Sequence, residues 1–406
     1  MRSSDPRQIL AAFVEDLIAS GALLSEPVER AFRRVQRHRF VEHWYRLEAS
    51  RLQAIWNRVE FDRADPDDES LAEIYSNRSL VTRVDGHLPT TSTSQPALVS
   101  QMLELLDIDP GMRVLEIGAG TGYNAALLAE IIGDAANVYT IDIQADVAEA
   151  AREALTREGY GEIHVTNADG VSGFSEGAPY DRIEATVGCS DLSPQWLTQL
   201  APDGLMLIPL QHGHVHPLIR VTRAPESPRR ARGEFVGRAA FMAIQGSMAW
   251  SNPWQSYLLG GLPREPVWRR ELPISFPDIE NGRHLLSDEE HLAFYFYLSL
   301  SSRELWRPNG GYGLADPGGR ATAIITDNGI AAYHRSGEAA CAERLCSRLN
   351  ELLLSWDRLG RPAPQDYEIG FIPKGELPVL GNGSCEEWVV ERIHFWEIVR
   401  LPSGSP

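Results

Sequence analysis

A short glycine run between a strand-like and a helix-like segment restricts the fold of this chain more than any other feature. Gly118, Gly120 and Gly122 follow the apolar stretch Val114–Ile117 and precede a segment with helical periodicity, Tyr123–Ile132. Glycine has no Cβ, so a loop built on it can turn tightly and let a ligand approach its backbone. The pattern therefore predicts a strand–loop–helix unit whose loop binds a ligand.

The alternation of strand and helix continues on both sides of this glycine run. Helical periodicity predicts helices, and short apolar runs predict buried strands. The predicted order is helix Pro96–Leu106, strand Val114–Ile117, helix Tyr123–Ile132, strand Val138–Asp142, helix Ala145–Glu158, strand Ile163–Thr166, a strand within Tyr180–Val187, helix Pro194–Leu200 and strand Leu205–Leu210. This order predicts an α/β fold with a parallel, doubly wound sheet.

The segments outside this alternation have other patterns. Residues 7–45 have helical periodicity, residues 65–69 are typical of an acidic turn, and residues 224–234 are typical of an exposed hairpin tip or loop. The alternation stops near residue 248. An irregular connector is then predicted by four prolines, Pro263, Pro266, Pro273 and Pro277.

The C-terminal part predicts a small α+β domain. Apolar runs on both sides of Asp327-Asn328-Gly329 predict a hairpin. The other expected elements are a core aromatic segment at Phe294–Tyr297, a helix from about Glu338 to Leu359, and strands near Tyr367–Ile372 and Trp388–Val399. We therefore divide the chain into an N-terminal helical segment (1–85), a core that carries the glycine run (86–247) and a C-terminal α+β domain (248–406).

The charge balance bears on the kind of partner. The chain has 56 acidic and 38 basic residues, for a net charge of −18. A field of this sign repels phosphate, so we expect neither a nucleic acid nor an anionic membrane as partner. The sequence also lacks a membrane-length apolar run and a secretory signal, so we expect a cytoplasmic protein.

The sequence contains two sets of potential metal ligands. The four cysteines form no CxxC pair. His212, His214 and His216 would share one face of a strand, but no carboxylate or cysteine set accompanies them. We therefore expect no metal site.

The glycine run fits one of two cofactor signatures better. A nicotinamide-binding GxGxxG run would need glycine at position 123, which is Tyr123. The spacing GxGxG with Glu116 two residues earlier resembles the first motif of class I S-adenosylmethionine methyltransferases. The resemblance implies a Rossmann-like methyltransferase core that binds S-adenosylmethionine and releases S-adenosylhomocysteine.

The same resemblance assigns the cofactor-binding residues. Glu116 would lie near the cationic methionine end, Asp142 would bind the ribose hydroxyls, and Asp169-Gly170 would contact the adenine. The full expected set is Glu116, Gly118, Ala119, Gly120, Thr121, Gly122, Asp142, Ile143, Asp169 and Gly170.

Further stretches resemble the protein-L-isoaspartate O-methyltransferase family over about residues 25–247. The most diagnostic is Thr93-Ser94-Gln95-Pro96, because most class I methyltransferases lack a Ser-Gln-Pro segment at this place. The other matching stretches are Ala31–Val35 with Arg39–Val41, Ala178–Ile183, Gly204–Pro209, and Phe241–Gly246, which resembles the strand that closes the family's core.

The resemblance implies a role for Ser94. Its hydroxyl would hydrogen-bond the substrate carboxylate and position it, with Thr93 beside it. The alternative is that Ser94 is only the N-cap of the helix that begins at Pro96. Both roles are compatible.

The chain departs from the family's repair enzymes in three places. Thr93 replaces an aliphatic residue, residues 45–75 are longer, and residues from 248 onward have no counterpart in those enzymes. The extension resembles that of a branch that methylates an aspartate in ribosomally made peptides (lanthipeptides, lasso peptides and graspetides), where the ester closes to aspartimide.

Three functions follow from these resemblances. The first is methylation of an aspartate in a ribosomally made peptide, which the extension favours. The second is repair methylation of L-isoaspartyl residues in proteins. The third is a non-catalytic binding protein, which the intact glycine run disfavours. The expected partner is a peptide or protein that contains Asp or isoaspartate; the sequence gives no oligomeric state.

Overall fold

A computed structural model gives the structure of the protein for residues 5–49, 54–212, 216–249, 268–270, 288–302, 305–306, 312–316, 320–326, 329–378 and 385–402. The chain forms two compact units. The first unit contains residues 1–209, 220–231 and 239–249; the second contains residues 210–219, 232–238 and 250–406. The division into segments 1–85, 86–247 and 248–406, each with its own role, stays a prediction.

The N-terminal part of the first unit contains more strand than the sequence predicts. Its elements are α1 (Pro6–Ala19), α2 (Glu26–Arg34), β1 (His43–Ala49), β2 (Ala54–Glu60), α3 (Asp68–Ile74), β3 (Leu80–Asp85) and β4 (Leu88–Thr93). The strands form a four-stranded sheet in the order β2-β1-β3-β4. The helical prediction is wrong at its end, because His43 begins a strand. The predicted acidic turn at residues 65–69 is wrong in part, because α3 begins at Asp68. The Asp67 side chain caps this helix by accepting a hydrogen bond from the Ser70 N–H.

The main sheet of the first unit follows the predicted alternation. Its elements are α4 (Pro96–Leu106), β5 (Val114–Ile117), α5 (Tyr123–Ile132), β6 (Val138–Asp142), α6 (Ala145–Arg157), β7 (His164–Asn167), β8 (Tyr180–Ala185), α7 (Pro194–Gln199) and β9 (Leu200–Pro209). The strand order is β9-β8-β5-β6-β7, and these neighbours pair in parallel. The predicted doubly wound α/β sheet is therefore confirmed.

Burial explains why this sheet holds together. Every residue of β5 is buried, as expected for a central parallel strand covered on both faces. Helix α5 packs on β6, α6 packs on β6 and β7, and α4 packs on β9. Gly122 begins α5 and Gly133 ends it, both in the left-handed region. The glycine run is thus fixed between two buried elements.

The hairpin after β9 corrects two predictions. It consists of β10 (Pro217–Ala224) and β11 (Ser227–Arg238), and it contributes residues to both units. The exposed tip is therefore only Pro225-Glu226, and most of the predicted loop 224–234 is strand. Residues 241–246, expected to be a closing strand, make only one isolated bridge, from Ala243 to Gly188.

Among its described residues, the second unit contains two strand groups and two α-helices. Its elements beyond the hairpin are β12 (Trp268–Arg270), α8 (Asp288–Ser301), β13 (Leu305–Trp306), β14 (Tyr312–Ala315), β15 (Ala321–Thr326), β16 (Gly329–His334), α9 (Ala339–Arg358), β17 (Glu368–Pro373), β18 (Glu386–Glu391) and β19 (Phe395–Leu401). One sheet has the order β12-β16-β15-β14-β13; in the other group the order is β18-β19-β17. A strand-rich α+β region is present, as predicted.

Its core is built by α8 and α9 on the five-stranded sheet. Phe294 and Tyr297 of α8 pack with Leu349 and Trp356 of α9, so the aromatic segment is core as predicted. The predicted hairpin is confirmed by the antiparallel pairing of β15 with β16. The predicted strand Trp388–Val399 is wrong, because β18 and β19 are two antiparallel strands. The four prolines of the predicted connector lie outside the described residues.

A buried ionic cluster lies within the second unit. Glu397 is fully buried; one carboxylate oxygen accepts from the Arg392 Nε at 2.8 Å, and the other lies 3.0 Å from the His212 Nε2. Burial opposes ionisation of Glu397, but Arg392 and His212 lower its pKa to about 2. The unit therefore depends on a carboxylate that compensates a buried guanidinium.

In the described ranges, no helix has the length and apolar character needed to cross a bilayer.

Replacing Glu397 by Gln is expected to destabilise the second unit. The change leaves the Arg392 guanidinium buried without its counter-charge, which costs about 3–5 kcal/mol. Urea unfolding followed by tryptophan fluorescence measures the loss. The matched control is Glu368→Gln on neighbouring β17, where Glu368 is exposed and the cost should stay within about 0.5 kcal/mol. Equal unfolding midpoints for the two variants would contradict the prediction.

Candidate active site

The glycine loop is held at the carboxyl end of β5. Gly118, Gly120 and Gly122 have φ values of +110°, +53° and +81°, which side-chain-bearing residues rarely adopt. The N–H groups of Gly118 and Ala119 donate to the Ile141 carbonyl at 2.8 and 3.0 Å. The loop is thereby tied to the end of β6, where the second group of predicted cofactor residues begins.

The predicted substrate segment lies beside this loop. A Cβ added to Gly120 would be 3.5 Å from the Ser92 carbonyl oxygen, so the loop and the end of β4 are in contact distance. The Gln144 amide, just after β6, donates to the Thr90 carbonyl and lies within hydrogen-bond distance of the Thr91 hydroxyl, each at 3.2 Å. Two segments that are distant in sequence thus meet at one edge of the sheet.

Asp142 ends β6 next to the loop. Its carboxylate accepts from the Gly120 N–H at 3.2 Å and from the Gln144 N–H at 3.0 Å. Burial raises the pKa of Asp142, and these two N–H groups counteract part of that effect. The next residue, Ile143, is 36% exposed, so an apolar surface adjoins the carboxylate. Adjacent acceptor and apolar groups fit the ribose and adenine of a nucleoside.

Asp169 is hydrogen-bonded by Ser247, a residue that the sequence did not identify as part of the site. Its Oδ2 accepts from the N–H and from the hydroxyl of Ser247, both at 2.8 Å. Burial opposes ionisation, but the Ser247 donors and the Val171 N–H lower the pKa of Asp169. A Cβ on Gly246 would be 2.6 Å from Asp169 Oδ2 and 2.7 Å from Ile143 Cδ1. Residues 246–247 therefore close one side of the place predicted for the adenine.

The remaining predicted cofactor residues have little free space. A Cβ on Gly170 would be 2.6 Å from Ile117, so glycine is required for packing there. Ala119 is buried and Thr121 is half-buried within the loop. These positions fit a loop that offers backbone rather than side chains to a ligand.

Ser94 is half-buried directly after β4, and Thr93, the last residue of that strand, is buried. Helix α4 begins at Pro96 with Gln95 as N-cap and has no side-chain cap; Asn77 instead accepts from the Ala97 N–H at 3.0 Å. The capping alternative for Ser94 is therefore wrong. Among the described residues, no hydrogen bond uses the Ser94 hydroxyl, which is available to a substrate.

A buried arginine fixes the backbone of Ser94. Arg37 is 0% exposed, and its guanidinium donates to the Ser94 carbonyl at 3.0 Å. It also donates to three other carbonyls at 2.6–3.1 Å, those of Ile74, Ser76 and Arg78. Burial lowers the pKa of Arg37 to about 10, which still leaves it charged. The sequence carried no signal for this role, because Arg37 lies 57 residues before Ser94.

Two buried carboxyl groups meet beneath the glycine loop. Glu116 and Glu184 are register partners on β5 and β8, and each is 1% exposed. The Asn124 amide donates to Glu116 Oε1 at 2.8 Å and also to Glu184 Oε1. Thr140 donates its hydroxyl to Glu116 Oε2 at 2.6 Å. Glu116 is thus hydrogen-bonded inside the protein. The sequence did not distinguish Glu184 as a buried partner, because its strand also contains Asp181 and Arg182.

The structure brings no metal ligands together in the ranges it describes. His212 is buried against Glu397, and His214 lies outside the described residues.

The comparison with known proteins identifies the family. The model of the family described as Protein-L-isoaspartate(D-aspartate) O-methyltransferase (PCMT) matches residues 8–235. The chain belongs to this family. It is an S-adenosylmethionine-dependent carboxyl O-methyltransferase, so the predicted enzyme class and cofactor are confirmed.

Individual relatives carry the same name. The protein-L-isoaspartate O-methyltransferase of Methanothermobacter thermautotrophicus is 34% identical over 58% of this chain and 95% of its own length. That of Aeropyrum pernix is 33% identical over 63% of this chain and 86% of its own.

A solved structure named protein-L-isoaspartate O-methyltransferase shares the fold beyond the family core. It is 23% identical with a TM-score of 0.51, and it covers 89% of this chain and 96% of that chain. A match confined to residues 1–247 would cover a smaller share of this chain, so the match extends past residue 247. At the level of the fold, this match therefore reaches into the extension, which was expected to have no counterpart.

Replacing Arg37 by Lys is expected to loosen the Ser94 segment. An ammonium group cannot reach four carbonyls in the fixed plane of a guanidinium, so at least one buried carbonyl loses its donor, at about 1–3 kcal/mol. We expect a lower urea midpoint and a kcat/KM reduced about tenfold or more. The control is Arg30→Lys on α2, where the arginine side chain is 46% exposed. Wild-type stability and activity in R37K would contradict the role assigned to Arg37.

Replacing Glu184 by Gln is expected to change how stability depends on pH. Burial is the main cause that raises the pKa of Glu116 to about 8 and that of Glu184 to about 7. The folded protein therefore binds more protons than the unfolded chain, and the stability from this pair is full below the unfolded pKa and is lost as pH rises through 7–8.

The glutamine keeps an acceptor for Asn124 but cannot ionise. The free energy of unfolding of E184Q relative to that of the wild type should rise by about 1–3 kcal/mol from about pH 5 to about pH 8.5. Urea unfolding at the two pH values measures this difference. The control is Glu153→Gln, at an exposed position on α6. Its free energy of unfolding relative to that of the wild type should be the same at both pH values. A wild-type pH profile in E184Q would refute the assignment.

Proposed function

We propose that this enzyme methylates the free α-carboxylate of L-isoaspartyl residues in peptides or proteins. The observation that carries the proposal is the meeting of the Ser94 segment with the glycine loop and Asp142 at one sheet edge, in a chain that belongs to the family. The printed names of the relatives point to the same substrate class.

The cofactor side of the site is assigned to the glycine loop and to residues after β6 and β7. S-adenosylmethionine supplies a methyl group activated by its sulfonium charge. The backbone of Gly118–Gly122 would approach it, Asp142 would accept from the ribose hydroxyls, Ile143 would cover the adenine, and Asp169 with Gly170 would accept from its amino group. Ser247 orients the Asp169 carboxylate through its two donors.

The substrate side depends on positioning. A carboxylate with a pKa of about 4 is already ionised at neutral pH, so no general base is needed. The Ser94 hydroxyl donates to one oxygen of that carboxylate and leaves the other free to attack the methyl carbon. Arg37 holds the Ser94 backbone, and Gln144 holds Thr90 and Thr91, so the hydroxyl is fixed relative to the glycine loop. Positioning of this kind can lower a barrier by about 7–11 kcal/mol in the best cases.

The methyl ester product can close to a succinimide in a second reaction. A methyl ester is a better electrophile than a carboxylate, so the amide nitrogen of the following residue attacks its carbonyl carbon. Methanol leaves and a succinimide remains. This step needs no group of the enzyme.

A second candidate function uses the second unit. There the enzyme would methylate an aspartate in a ribosomally made peptide, whose ester closes to aspartimide. The observation that favours it is β18, which lies at the end of its strand group and exposes 41% of Val389. An edge strand can bind an extended peptide by adding a strand. Because the fold match extends past residue 247, the extension does not by itself separate this function from repair.

Mass spectrometry with S-adenosylmethionine separates the two candidates. One substrate is a peptide with an L-isoaspartyl residue, one is the same peptide with normal Asp, and one is a cyclised peptide encoded beside the gene. We expect a methyl ester on the isoaspartyl peptide only. Ester and then succinimide on the Asp of the cyclised peptide alone would favour the second function, and no ester on any of them would refute the first.

Replacing Ser94 by Ala tests the positioning role. We expect kcat/KM for the isoaspartyl peptide to fall about 10- to 100-fold, because the carboxylate loses its orienting donor. Cofactor affinity should be unchanged. Ser79→Ala, at an exposed position before β3, serves as the matched control. Equal rates for S94A and S79A would remove Ser94 from the mechanism.

A further inference from the structure

The carboxyl pair formed by Glu116 and Glu184 is placed where it can respond to the charge of a ligand. Glu116 is two residues before Gly118, the first glycine of the loop that approaches the cofactor in the proposed function. Glu184 joins it from the neighbouring strand, and one Asn124 amide group donates to both. Both side chains are 1% exposed, so water does little to screen them.

The carboxyl groups of the pair are not matched by a cation in the part of the chain that the structure describes, where neither forms a salt bridge. The packed elements present the Thr140 hydroxyl and Asp142 from β6, Asn124 from α5 and Leu207 from β9 beside Glu184. Asp142 adds a further negative charge that disfavours ionisation of Glu116. Two adjacent buried carboxyl groups without a counter-ion hold protons as one unit.

We propose that Glu116 and Glu184 form a charge-sensing pair beneath the cofactor site. The pair releases a proton when the cationic S-adenosylmethionine is bound and retains it when the neutral thioether product, S-adenosylhomocysteine, is bound. The inference rests on the proposed placement of the cofactor at the glycine loop, and it adds to that proposal a means of distinguishing substrate cofactor from product.

The charge balance of one turnover follows. The carboxylate oxygen of the substrate forms a bond to the methyl carbon, and the carbon–sulfur bond breaks with its electron pair going to sulfur. The transfer itself moves no proton. The positive charge beside the pair disappears, so the pair takes up a proton from water. An ionised pair thus faces the sulfonium, and a protonated pair faces the product, for which it offers no charge attraction.

Proton release on binding tests this pair without any turnover. Isothermal titration calorimetry at about pH 7.5 in two buffers with different ionisation enthalpies gives the number of protons exchanged for each ligand. The wild-type protein should release about half a proton more with S-adenosylmethionine than E184Q does with the same ligand, while S-adenosylhomocysteine gives no such difference. Comparing variants with one ligand cancels protons from the α-amino group of that ligand.

The same linkage predicts an affinity change. Between about pH 7 and pH 8 the wild-type dissociation constant for S-adenosylmethionine should tighten about threefold more than that of E184Q. Glu153→Gln, with its exposed carboxylate on α6, should behave as wild type in both measurements.

The outcomes are distinguishable. If wild type and E184Q exchange the same number of protons with S-adenosylmethionine, or if the excess is equal for both ligands, the charge-sensing pair is overturned and the proposed function stands. If folded wild-type protein binds neither ligand, the cofactor placement of the proposed function fails, and this inference fails with it.

Discussion

The substrate side of the proposed active site depends on one buried guanidinium. Arg37 donates to four backbone carbonyls, which lie at the end of α3, in the turn before β3 and directly after β4. Because an unsatisfied buried carbonyl is costly, the three segments share a single donor and therefore a single geometry. The position of the Ser94 backbone is a consequence of that shared donor.

The cofactor side could be predicted from the sequence because its information is local. Apolar runs and glycines at fixed spacing specify β5, the loop and α5 within one stretch of chain, and the observed ends of β5, α5 and β6 agree with the prediction. Asp142 and Asp169 follow from the same rule, since the carboxyl ends of parallel strands meet at one sheet edge. Each of these features is decided by neighbours a few residues away.

The rest could not be predicted because it depends on contacts between distant segments. Arg37 lies in a stretch predicted to be helical, and Ser247 lies directly after the stretch expected to be a strand; only the fold brings them to Ser94 and Asp169. Strands β1 to β3 each carry an arginine and an acidic residue instead of a clear apolar alternation, and the helical periodicity before them extended the prediction into β1. The extension after residue 247 resembles that of peptide-modifying enzymes in sequence, but a fold match to one solved structure also extends past that residue.

The two halves of the active site lie on different sheets. The glycine loop and Asp142 end strands of the parallel sheet, whereas Ser94 follows β4 of the separate four-stranded sheet. Sequence drift in the small sheet can therefore reshape the acceptor pocket while the nucleoside pocket stays as it is. In a family built in this way, the acceptor can change without a change in the methyl donor site.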